Sequence, residues 1–174
     1  MKTALRVGIV AFMVFLIGNF TGCLDDGDNN GDGNSIPGLT SVGQLLAQPD
    51  DWTNDNTDDG LRIGFYFLDA DGTPISFDDV GVDVKVVLFT QVQNTSGVWQ
   101  KDRLVYQHTF TISSSQNVKP TGTGIQVPWE DIEVNPNEDD SLGVIEVTVS
   151  VPGHDEYPPL TDDFVRLYLE SGTV

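Results

Sequence analysis

The residues best able to do chemistry in this chain are short carboxylates and amides set at alternate positions. Asp26, Asp28 and Asn30, followed by Gly31, match the opening of a calcium loop, in which alternating oxygen side chains wrap one cation. An overlapping register of Asp28, Asn30 and Asp32 followed by Gly33 fits equally well. Neither register is closed by the bidentate Glu at the twelfth position, which falls on Pro37 or Leu39. The low-complexity composition also reads as a solvated spacer. A second set lies further on: Asn54, Asn56, Asp58 and Asp59, then Asp69 and Asp71 before Gly72. Loops at one end of a β-fold can converge on calcium, but Asp-Gly is also ordinary turn chemistry, which is the commoner role.

The aromatic residues offer another chemistry. Trp52, Trp99 and Trp129 all stand in or beside turn-rich stretches. Exposed together, they could stack on sugar rings; singly, they cap the edge of a core, as tryptophans more often do. His108 falls on the apolar face of an alternating run and reads as a core histidine. His154 sits beside Asp155 and Glu156 in a Pro- and Gly-rich loop, where adjacent side chains seldom point at one metal. No G-x-S-x-G elbow, phosphate loop, dinucleotide fingerprint or CxxC occurs. A hydrolase would need two carboxylates across a cleft. Among 27 acids no pair stands out; Glu130 and Glu133 merely lie near Trp129.

The single cysteine, Cys23, follows an export-type segment. Lys2 and Arg6 give a positive start, residues 7–17 are apolar apart from Gly8, and residues 18–22 are small and polar apart from Phe20. The apolar run is shorter than the roughly 20 residues that a spanning helix needs. The run Asn19-Phe20-Thr21-Gly22-Cys23 resembles the lipobox of prokaryotic lipoproteins, with Phe20 where an aliphatic residue is usual. The resemblance implies lipidation of Cys23, removal of residues 1–22, and an extracytoplasmic protein anchored to the membrane by acyl chains. A disulfide framework needs pairs of cysteines, and this chain has only one.

Charge narrows the partners. With 8 basic and 27 acidic residues in 174, the net charge is -19, and 21 of the acids are Asp. Such a surface repels nucleic acid and anionic head groups and favours cations and solvation. Self-repulsion on this scale also predicts that folding responds to salt. The expected partners are the membrane, through the lipid, and an envelope protein or glycan, with no nucleic acid.

The elements that must position these groups are strands. Residues 23–40, rich in Asp, Asn and Gly, read as a flexible acidic tether, since they hold too little apolar surface to offset their ordering entropy. Within residues 41–60, Ser41-x-x-Gln44 resembles a capping box and predicts a short helix ending before Pro49, followed by an acidic loop. From Leu61 the apolar period becomes two: Leu61, Ile63, Phe65, Phe67; Val82, Val84, Val86, Leu88; Leu104, Tyr106, His108, Phe110, Ile112; Ile125, Val127, Trp129; Ile145, Val147, Val149, Val151; and Val165, Leu167, Leu169. A seventh strand is expected over residues 97–100 or 74–77. With no helices between the strands, residues 61–174 are expected to be an all-β antiparallel sandwich of about seven strands. The count and spacing resemble immunoglobulin-like or fibronectin-type sandwiches without the Cys–Trp–Cys core, with a jelly roll as the alternative. The function expected on these grounds is a lipid-anchored binding or structural module with no catalysis. A calcium-responsive or carbohydrate-binding domain is the alternative, and a small envelope hydrolase the remote one.

Overall fold

A computed structural model describes residues 35–168. Seven strands run in chain order: β1 (Ser41–Asp50), β2 (Gly60–Leu68), β3 (Asp78–Gln93), β4 (Trp99–Ser114), β5 (Ile125–Pro128), β6 (Leu142–Ser150) and β7 (Leu160–Arg166). They form a three-stranded sheet, β1-β2-β5, and a four-stranded sheet, β4-β3-β6-β7. Every pairing is antiparallel, and the chain is an all-β, seven-stranded sandwich.

Alternation builds the core. Leu61, Ile63, Phe65 and Phe67 of β2 face Val82, Val84, Val86 and Leu88 of β3 and Ile145, Val147 and Val149 of β6, all essentially inaccessible to solvent. Phe67 lies between Phe65 and Phe77, with ring centroids at 5.5 and 4.8 Å. Side chains of this size contribute about 1.5–3 kcal/mol each on burial, so these three strands supply most of the fold's cohesion.

Three expectations need correction. The helix over the start of residues 41–60 is instead the strand β1, paired along β2 from Ser41↔Leu68 to Asp50↔Gly60. A single isolated helical turn gains little for the backbone it fixes, whereas the edge of β2 offers a ladder of hydrogen bonds. A bulge at Gln44, with φ of 58°, lets Val42, Leu45 and Ala47 all pack on the core despite their irregular spacing. The sandwich therefore begins at β1, which is also the seventh strand, ahead of Leu61. Packing begins earlier still: Ile36 and Leu39, at the end of the expected tether, are buried.

The third correction concerns His108, which is exposed. Tyr106, His108, Phe110 and Ile112 pair with Leu88, Val86, Val84 and Val82 and so share the inner face of the four-stranded sheet. But β4 is an edge strand, and the sheet opposite ends in the four-residue β5. The inner face of β4 overhangs that short strand. A bulge also turns Val105 into the core and leaves Leu104 48% exposed.

Candidate binding cleft

Three of the turn and loop carboxylates, Asp51, Asp59 and Asp69, are occupied by their own backbone. Between β2 and β3, Asp69 Oδ1 accepts the N–H groups of Asp71 (2.9 Å) and Thr73 (2.8 Å), and Gly72 takes the left-handed φ of 75° that the turn requires. In the loop from β1 to β2, the carboxylates of Asp51 and Asp59 accept backbone N–H groups in the same way. Among the described residues, no three His, Cys, Asp or Glu side chains gather as a metal site. Cys23, Asp26, Asp28 and Asn30 lie outside the described residues.

The tryptophans separate into two groups. Trp52 and Trp129 are both half-buried. The Trp52 ring lies so close to Gly60 that a Cβ there would sit 2.5 Å from its Cη2. Trp129 donates its indole N–H to the Asp58 carbonyl at 2.8 Å and its backbone N–H to the Asp59 carbonyl at 3.1 Å. Both rings brace the acidic loop. His154 is engaged at one nitrogen, its Nδ1 lying 3.2 Å from the Tyr157 hydroxyl, while its Nε2 is buried and meets no partner among the described residues.

Trp99 is different. It opens β4, stands on the outer face of the four-stranded sheet and is 39% exposed. Its partner is Phe164 of β7, 51% exposed, with ring centroids 6.2 Å apart and planes at 87°. β4 and β7 are the two edges of that sheet, with β3 and β6 between them. The two rings thus meet across the width of the sheet. Phe164 is able to reach because β7 bulges there: Gly143 pairs with Val165 and Val144 with Asp163, so Phe164 is the extra residue. It takes a φ of 65°. A bulky residue in the left-handed region costs about 1–3 kcal/mol, a strain found most often at functional sites.

Beneath this arch is a cleft of about 200 Å³, lined by Gln91, Lys101, Val144, Glu146, Thr161 and Asp163 with the two rings. Lys101 pairs with Glu146 and lies over the Phe89 ring, 4.9 Å from its centroid. Gln91 is only 5% exposed, and its Nε2 meets no hydrogen-bond partner among the described residues. A buried amide donor left unmatched costs about 1–3 kcal/mol, so such groups call for an account. Trp99 and Gln91 also border a second depression, of about 370 Å³, against residues 136–140.

The sequence singled out Trp99 by residue type. It missed Phe164, whose signal was an aromatic residue at an outward position between Asp163 and the inward Val165. Gln91 carried only the end of the apolar alternation of β3 as a signal.

These features define a β-sandwich with an aromatic-roofed cleft on one outer face. Compared with protein-family models, curated proteins and solved structures, the chain matches none.

Proposed function

We propose that this protein is a lipid-anchored, extracytoplasmic binding module that carries out no covalent chemistry. The export segment and the lipobox-like run ending in Cys23 support the address. The three-plus-four strand order supports the immunoglobulin-like, fibronectin-type reading of the sandwich. The observation that carries the binding role is the Trp99–Phe164 arch, two exposed rings over a cleft. Two large rings held in solvent, one on a strained backbone, and a buried donor without an acceptor are costs to the free protein. A ligand that stacks on the rings removes the first of these costs.

The address is tested by feeding cells an alkyne-tagged fatty acid. The wild-type chain should be labelled and sediment with membranes, and the Cys23→Ser variant should be unlabelled. Labelling of the variant, or soluble wild-type protein, would overturn it.

A second reading has its own observation. The inner face of β4 overhangs β5, leaving a groove of about 570 Å³ walled by Tyr106, His108, Phe110 and Gln126. A protein partner adding a strand at that edge would fill it. Crosslinks to an envelope protein at positions 106–110, and none at Trp99 or Phe164, would favour this reading over the cleft.

A further inference from the structure

We infer that the Trp99–Phe164 cleft binds a neutral oligosaccharide, with one sugar ring under the arch and the next on the far side of Trp99. The inference rests on the binding-module reading and gives it a ligand class.

The lining fits a sugar better than its competitors. A pyranose presents an apolar face of C–H bonds and a rim of hydroxyls, each both donor and acceptor. The exposed rings of Trp99 and Phe164 match the first. Glu146 and Asp163 offer acceptors and Lys101 and Thr161 offer donors, which matches the second. A cleft of about 200 Å³ accommodates one ring with its hydroxyls rather than a protein segment. The position over Phe89 that a cationic ligand would use is already taken by Lys101. A net charge of -19 opposes uronic acids, sulfated glycans and phosphorylated polymers. Neutral sugar remains.

Chain length follows from the second depression. Gln91 and Trp99 line both hollows, so Trp99 stands between them. A single sugar contacts one side of the indole, and a linked pair uses both. Affinity should therefore rise by about tenfold or more from monosaccharide to disaccharide and level off beyond it.

The experiment uses the full-length protein in detergent, titrated by calorimetry with neutral gluco-, xylo-, manno- and N-acetylglucosamine oligosaccharides of one to six units. At least one series should bind with the length dependence above. Thr161→Val keeps the shape of the cleft wall and removes a hydroxyl, so it should weaken binding about fivefold while its melting temperature stays level. Phe164→Gly relieves the backbone and removes the ring, so it should abolish binding without unfolding the chain. Trp52→Phe should bind as wild type. The inference is overturned if no series binds, or if Thr161→Val and Phe164→Gly bind as tightly as wild type. A failed sugar titration alongside native-envelope crosslinks from positions 99 and 164 to a protein would reject the sugar and keep the binding module. The absence of both would reject the module as well.

Discussion

Asp51 and Asp59 divide between them the backbone donors of the loop joining β1 to β2. Asp51 accepts from the N–H groups of Asp55 at 3.2 Å and Asn56 at 2.7 Å, while Asp59 accepts from Trp52 and Thr53, each at 2.8 Å. Asn54 and Asn56 take left-handed conformations, φ 60° and 70°, which asparagine tolerates better than most residues. The loop is ordered by its own acids. Asp59→Ala should therefore lower stability by about 1–3 kcal/mol, the worth of hydrogen bonds to a charged acceptor. Urea unfolding with and without calcium checks this. The loss should be the same in both, and a calcium-dependent gain confined to the wild type would show instead that the loop is a cation site.

Gly143 is the tightest point of the four-stranded sheet. A Cβ there would lie 2.2 Å from the Phe89 carbonyl oxygen and 2.6 Å from Leu167 Cδ1. The clash is with backbone on a neighbouring strand, so no rotamer relieves it. Gly143→Ala should cost about 2–3 kcal/mol, at the upper end for overpacked cores, measured as a fall in the denaturant midpoint with the slope unchanged.

Arg103 reaches off the β4 edge to the segment that follows β5. It donates to the Glu133 carbonyl at 2.9 Å and pairs with Asp139, whose carboxylate also accepts the Asn135 N–H at 2.6 Å. Arg103→Leu should cost only about 1 kcal/mol overall, because the arginine itself is well exposed. The change should be local. Amide exchange should quicken over residues 133–140 and stay as in the wild type in β2 and β6.

Asp162 sets a pH dependence. It pairs with Ile145 across β7 and β6, and burial first, then the neighbouring Asp163, raises its carboxyl above 3.8, while a backbone hydrogen bond from Asp163 works in the opposite sense. A raised carboxyl binds its proton more tightly folded than unfolded. Its ionisation therefore costs stability at neutral pH, and the cost disappears as pH falls through the raised value to below 3.8. Asp162→Asn should raise the melting temperature at pH 7 and give no gain at pH 3. An equal gain at both would mean that its charge is not what opposes folding. An acid facing inward on an edge strand also discourages another chain from adding there, so the natural residue trades stability for solitude.

How far the sequence disclosed the fold depended on how regular each strand is. The alternating apolar residues of β2 (Leu61–Phe67), β3 (Val82–Leu88) and β6 (Ile145–Val149) are the buried ones. β1 was unreadable because the Gln44 bulge puts Leu45 and Ala47 on the core out of step with Val42, leaving a spacing closer to a helix than to a strand. β4 was half-readable: its period is right, but His108 is dry or wet according to the length of β5, which lies on another sheet. The cleft was the least visible. Trp99 declares itself by type, yet its ring acquires a partner only because one irregular residue of β7 is thrown across two intervening strands, a relationship held in no local window.

The burial of Ile36 and Leu39 has a mechanical meaning. If the lipid on Cys23 holds the protein to the membrane, any pull between membrane and ligand enters the domain through these two plugs and then through β1. From there the load passes along β1 and is shared by its ladder with β2, and the bulge at Gln44 is where that ladder is interrupted.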